Sequence, residues 1–266
     1  MPNQNGDLQG FDTAAGAAAI VASLARIRVA KQDFIVGYYG HGRKVMSPGA
    51  ASVISAAGLP LVMVYEDAPT SVEYFTRERG KADALEAVRQ AKALGQPVES
   101  AIYFVVDYDA IDKDIRGPVY AYGYAFSDTL ASSSYLCGCY GNGAVCAAMR
   151  EADIVHYTFV WGAHKTNGTQ EFIERNTWDL MQSPTVPAAV NRLGFDDDPD
   201  IGKAAGFGQF LVHAATPQTA VEAATVIPPA RALQAALKAE GEYTGAVDGL
   251  WGSRSADALS RHYTAN

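Results

Sequence analysis

The sequence predicts an α/β chain built as a (β/α)8 TIM-type barrel, followed by a small C-terminal helical module. Three observations carry that prediction. Apolar runs rich in β-branched and aromatic residues alternate with helical patterns through about seven or eight units. Acidic residues recur where strand runs stop, and the C-terminal ends of parallel strands are where such a barrel places its chemistry. No Gly-x-Gly-x-x-Gly follows a strand, which disfavours the competing doubly wound open sheet and its dinucleotide cleft.

In chain order, the first strand is Leu8 to Asp12. Thr13 is a candidate N-cap for an alanine-rich helix reaching about Ala30. A second strand, Asp33 to Tyr39, closes on Gly40-His41-Gly42. Ser47 followed by Pro48 marks the next helix start, and Gly58-Leu59-Pro60 stops that helix after Ala57. Strand three, Leu61 to Tyr65, ends on Glu66. Gly80 precedes a helix from Lys81 to Leu94, with Ala84, Ala87, Val88 and Ala91 at helical spacing and Gly95 as its stop.

The strand from Ala101 follows, reading Ala-Ile-Tyr-Phe-Val-Val-Asp-Tyr-Asp. Six apolar residues without polar alternation are the pattern of a strand covered on both faces. Continued extension would place Asp107 and Asp109 on one face, about 6.6 Å apart along the chain at about 3.3 Å per residue. A single Asp there is equally well a polar turn residue; the pair at spacing two favours a catalytic floor. Beyond it, Pro118 opens a helix to about Ser132, a strand runs from Tyr135 to Tyr140, and Gly141-Asn142-Gly143 turns into a short helix to Ala152. Strands at Tyr157 to Trp161 and Thr177 to Gln182 precede the acidic run Asp196-Asp197-Asp198. Ser183 to Arg192 reads as loop, and any helix after Gly202 is short or absent.

The domain division expected from these patterns is a barrel over 1–213, an Ala/Thr/Pro-rich linker over 214–229 and a helical module over 230–266. In that module Leu233, Ala236 and Leu237 share one helix face, and Ala256, Leu259 and Tyr263 share another. About forty residues give a marginal core.

Composition narrows the function. A net charge of −8 without clustered Lys and Arg argues against nucleic acid and suits a neutral or cationic substrate. Cys137, Cys139 and Cys146 read as buried small hydrophobes, which points to a reducing compartment of synthesis. The first ten residues lack the pattern of a signal peptide, and no stretch is apolar enough to span a membrane. His156, His164, His213 and His262 show no ligand spacing, so no metal is expected, and no Gly-x-Ser-x-Gly marks a serine nucleophile. Tyr39, Tyr108, Tyr140 and Trp161, near strand ends, are candidates for stacking on sugar faces, with core or rim packing as the alternative. His41, in its Gly-flanked loop, is a further binding candidate.

Two family resemblances emerge from these motifs. Arg231 to Leu237, Gly241, Tyr243, Gly245, Val247-Asp248-Gly249, Trp251-Gly252 and Ala256 to Leu259 resemble the small peptidoglycan-binding domain of cell-wall hydrolases. Residues from about Gly10 to His213 resemble the glycoside-hydrolase-like domain of unknown function 1906, a barrel similar to the lysozymes of glycoside hydrolase family 25. That likeness rests on Gly10-Phe11-Asp12, Gly37-Tyr38-Tyr39, Ile102 to Asp109, Cys139-Tyr140-Gly141, Trp161, Trp178 with Gln182, and the final acidic turn.

The resemblance implies that Asp12, Asp107, Asp109 and either Asp196 or Asp198 occupy the lysozyme acid positions. Asp109 stands where that family has a Glu, one methylene longer. Glycoside hydrolysis needs one protonated and one ionised carboxyl, and neighbouring negative charges drive that split. Asp109 is the expected acid with Glu66 as its rival, Asp107 the ionised partner, and Asp12 and Asp198 the orienting groups. The implied function is a muramidase-type peptidoglycan hydrolase, monomeric and cofactor-free, acting at the bacterial cell wall. The alternative is a wall-binding protein that keeps its carboxylate cleft for recognition.

Overall fold

The computed structural model describes residues 7–183 and 198–212, with Leu193, Phe195 and scattered positions between Gln234 and Val247. The chain divides into two compact units, 1–213 and 214–266. In the second unit the described residues include short helical pieces at Gln234–Ala235 and Lys238–Ala239. There the Gln234 amide donates to the Tyr243 hydroxyl at 3.5 Å.

Eight strands close the first unit into a barrel in sequence order. They are β1 (Leu8–Asp12), β2 (Phe34–Gly40), β3 (Leu61–Glu66), β4 (Ala101–Val105), β5 (Leu136–Gly141), β6 (Tyr157–Val160), β7 (Leu180–Gln182) and β8 (Asp198–Gly202). Neighbours from β1 to β7 pair in parallel. The predicted barrel is present, with one departure: β8 runs antiparallel to both β7 and β1. An antiparallel partner needs no crossover helix; the loop expected over Ser183 to Arg192 lies, beyond Ser183, outside the described residues.

The helices are α1 (Ala17–Ala22), α2 (Leu24–Val29), α3 (Pro48–Ala56), α4 (Arg77–Leu94), α5 (Asp112–Asp114), α6 (Tyr120–Ala131), α7 (Gly143–Glu151) and α8 (Thr169–Glu174). The single helix expected up to Ala30 is broken at Ser23 into α1 and α2. It begins after Gly16 rather than at Thr13, whose hydroxyl instead accepts from the Ala15 N–H at 3.0 Å. α4 starts one turn earlier than predicted because Thr76 caps it, accepting from the Arg79 N–H at 3.1 Å. Pro118 lies inside a π turn, Ile115–Val119, that joins α5 to α6.

Alternate strand residues fill the barrel: Phe34 and Val36, Val62 and Val64, Tyr103 and Val105, Phe159 and Leu180. The chain after β8 seals the N-terminal end. There Phe207 packs on Phe34 with ring centroids 4.8 Å apart, and its carbonyl accepts from the Tyr103 hydroxyl at 2.6 Å. Phe210 exchanges backbone hydrogen bonds with Leu61, at 2.7 and 2.9 Å. With that end plugged, the cleft opens at the C-terminal ends of the parallel strands.

Outside the barrel, α4 and α6 meet closely. Buried Asp83 accepts from the hydroxyls of Tyr74 at 2.6 Å and Tyr122 at 2.9 Å, and from Arg79 Nε at 3.0 Å. Gly80 makes this approach possible, because a Cβ on it would stand 2.3 Å from the Tyr122 carbonyl oxygen. Gly80→Ala is therefore expected to destabilise the chain by about 1–3 kcal/mol, outweighing the ~1 kcal/mol that Ala gains in helix propensity. A denaturant midpoint at or above that of the parent would show that the helices can separate without cost.

Candidate active site

At the C-terminal mouth of the barrel lies a cavity of about 340 Å³ whose lining includes Asp12, Tyr38, Lys44, Glu66, Asp107, Tyr140, Phe159, Trp161, Gln182 and Asp198. The strand pattern explains the gathering. Inward-facing positions of β2 run Phe34, Val36, Tyr38, and each parallel neighbour contributes its last inward residue to the same rim. β8 joins from the other direction, pairing Asp198 with Asp12 and Asp200 with Gly10.

Asp12 is 6 % exposed and held on both oxygens: Tyr38 donates to Oδ1 at 2.5 Å and Gln182 Nε2 to Oδ2 at 3.0 Å. Gln182 is itself oriented by the Tyr140 hydroxyl, which donates to its Oε1 at 3.0 Å. Burial pushes the Asp12 carboxyl up to about 6. The Tyr38 and Gln182 hydrogen bonds oppose that rise, and the charges of Asp198 and Glu66 add to it. Glu66 is paired with Lys44, Nζ to Oε1 at 2.5 Å.

Asp107 follows the end of β4 and is exposed toward the cleft, its backbone N–H anchored to the Pro69 carbonyl at 3.0 Å. Its carboxyl is raised by desolvation and then by Glu66, against a lowering contribution from Lys44. Among the described residues its side chain has no hydrogen-bond partner. Asp200, 0 % exposed, lies on the inward face below Asp12, and neither of its carboxyl oxygens has a hydrogen-bond partner among the described residues. Burial, then Asp12 and Asp198, push its carboxyl well above the usual range.

Several expected site residues stand elsewhere. β4 ends at Val105, so the extended run does not continue and Asp107 and Asp109 do not share the cleft. Asp109 Oδ1 instead accepts from Asn142 Nδ2 and from the Asn167 N–H, each at 2.8 Å, bracing the loops after β4, β5 and β6. Tyr39 faces away from the barrel interior. It is fully buried, with its hydroxyl donating to Gln96 Oε1 at 2.6 Å, and its neighbour Tyr38 takes the cleft position. Tyr108 packs on Phe75, with ring centroids 5.9 Å apart. His41 is 65 % exposed and lies 3.3 Å from Asp67. Asp196 lies outside the described residues.

Asp12, Glu66, Asp107, Asp198, Tyr140 and Trp161 do converge. Sequence reasoning missed Tyr38, Lys44 and Asp200. Strict alternation from Phe34 would have selected Tyr38 over Tyr39, whereas Lys44 comes from a loop with no periodic signal. Among the described residues no group of three or more His, Cys, Asp or Glu is arranged to hold a metal ion.

The chain resembles known proteins over its barrel. It is 28% identical over 165 residues to the uncharacterized protein YbfG of Bacillus subtilis, a match covering 58% of this chain and 22% of that protein. The chain thus matches only about a fifth of that relative's length. The crystal structure of the Tat-secreted protein Rv2525c of Mycobacterium tuberculosis, in complex with L-tartrate, superposes with a TM-score of 0.62 at 18% identity, over 76% of this chain and 98% of that one. The modular autolysin LytC of Streptococcus pneumoniae, solved with a synthetic peptidoglycan ligand, shares the fold at a TM-score of 0.51 and 12% identity, over 74% of this chain and 47% of that one. The family model described as "Rv2525c-like, glycoside hydrolase-like domain" matches residues 25–205. With that match spanning more than half of its length, the chain belongs to the Rv2525c-like, glycoside hydrolase-like domain family.

Proposed function

We propose that this protein hydrolyses the glycan strand of peptidoglycan in the manner of a muramidase, at the bacterial cell wall outside the membrane. The observation that carries the reading is the convergence of Asp12, Glu66, Asp107 and Asp198 with Tyr38, Tyr140 and Trp161 in one cavity sized for a sugar ring. The glycoside hydrolase-like family and the fold shared with LytC support it.

Asp107 is the proton donor: it faces the cleft, its carboxyl is raised, and among the described residues no side chain holds it. Glu66, charge-paired to Lys44, is the ionised partner on the adjacent strand. Asp12, gripped by Tyr38 and Gln182, orients sugar or water, and Asp198 assists it. Turnover that needs ionised Asp12 is expected to rise as pH increases through about 6, and a pH–rate profile checks this. The C-terminal module is proposed to hold the enzyme on the wall.

Digestion of purified sacculi, followed by reduction and mass analysis, tests the activity. Soluble fragments with reducible N-acetylmuramic acid ends are the expected result. A second reading, binding without cleavage, draws on Asp109, whose carboxyl braces loops instead of reaching the cleft. Retention of the protein on intact sacculi with no released fragment would establish that reading.

A further inference from the structure

The loop between β2 and α3 is shaped to deliver one ammonium group into the cleft. Gly40 adopts φ 113°, and a Cβ on it would stand 2.4 Å from the Glu66 carbonyl oxygen, so only glycine lets this loop lie on the end of β3. Gly42 turns the chain again at φ 95°. The chain then doubles back onto β2, where the Met46 N–H donates to the Tyr38 carbonyl at 2.9 Å and Val45 bridges to Tyr38.

This return places Lys44 Nζ 4.3 Å from the centre of the Tyr38 ring and 2.5 Å from Glu66 Oε1. Outside the cleft, His41 lies 3.3 Å from Asp67 and so links the segments after β2 and β3 a second time, while Arg79 of α4 contacts the same carboxylate at 2.7 Å. Lys44 is the only basic residue lining the cavity among the described residues. An exposed pair would be worth little. Here both side chains are largely covered, at 24 % and 22 % exposure, and the lysine is also held by an aromatic face.

We propose that Lys44 is a positioning residue of this cleft: its ammonium pins the Glu66 carboxylate in place, and its stem braces Tyr38, whose hydroxyl holds Asp12. The kinetic consequence rests on the hydrolase reading given above; the pinning does not. The titratable groups that line the cavity with Lys44 are Asp12 of β1, Tyr38 of β2, Glu66 of β3, Asp107 after β4, Tyr140 of β5 and Asp198 of β8. All are acids or phenols, so among the described residues no other cavity-lining cation replaces Lys44 when it is lost. Without it, Glu66 acts on Asp107 uncompensated, and the Asp107 carboxyl moves further up.

The test compares the whole chain with Lys44→Met, which keeps an apolar stem over Tyr38, and Lys44→Arg, which keeps the charge. Carboxyl titrations followed by carbon NMR and pH–rate profiles on sacculi are recorded for all three. In Lys44→Met the Asp107 midpoint is expected to move to higher pH, and kcat to fall about 100-fold with KM little changed. Lys44→Arg is expected to restore both. An unmoved Asp107 midpoint in Lys44→Met overturns the proposal. So does a loss confined to KM, which makes Lys44 a contact for an anionic substrate group. If the parent releases nothing from sacculi while the Asp107 midpoint still moves, the positioning role stands and the hydrolase reading fails.

Discussion

Asp107→Asn is expected to lower release of muropeptides from sacculi by roughly 10²- to 10⁴-fold, the usual worth of a positioned proton donor, while leaving the unfolding midpoint within error of the parent. The backbone of Asp107 is anchored through its own N–H to Pro69, and among the described residues its side chain supports no neighbour. Replacement by an amide of the same shape thus removes the transferable proton and little else.

Asp109→Asn is the necessary contrast. Its carboxylate accepts two hydrogen bonds that tie the loops after β5 and β6 to its own. Both bonds fall on one oxygen, which an amide keeps as an acceptor, so the substitution loses only their charge assistance and is expected to cost about 1 kcal/mol of stability and to leave most of the turnover. If Asp107→Asn turns over normally while Asp109→Asn is inactive at full stability, the extended-strand assignment of the two acids is restored and the cleft assignment fails.

Asp200→Asn is expected to stabilise the protein, and by more as pH rises. Asp200 is wholly enclosed, both oxygens lack partners among the described residues, and burial reinforced by Asp12 and Asp198 raises its carboxyl far above the ordinary range. Between the ordinary Asp value of about 3.9 and that raised value, the folded chain keeps a proton that the unfolded chain has released. Stability therefore falls as pH rises through this window, by up to about 1.4 kcal/mol per pH unit.

Asparagine has no proton to lose. Thermal unfolding of the variant and the parent is expected to coincide near pH 4 and to diverge as pH rises from there, the variant melting higher. Parallel curves across that range would show that Asp200 titrates like an ordinary surface acid.

Local sequence was informative wherever a single period or cap decided the outcome. The apolar runs of β2, β3 and β4 read correctly because their residues face packed surfaces on both sides. Thr76 was an available N-cap signal that Gly80 obscured: a glycine that ordinarily breaks a helix is kept here because α6 passes within reach of its missing Cβ. Gly80 makes sense only with Tyr122 in place, forty-two residues later.

The acids show the same division. Asp12, Glu66, Asp107 and Asp198 were legible because each ends or borders a strand, and closing the sheet carries those ends to one rim. Sequence alone therefore determined the α/β barrel, the end of it at which acidic residues gather, and most of the carboxylates there. Only the tertiary structure decided that Asp109 braces loops, that Tyr38 and not Tyr39 faces the cleft, that Lys44 folds back onto Glu66, and that Asp200 is sealed beneath Asp12. Those outcomes depend on where a strand stops and which loop returns over it. Both are set by contacts between residues far apart in the chain, which local periodicity does not encode.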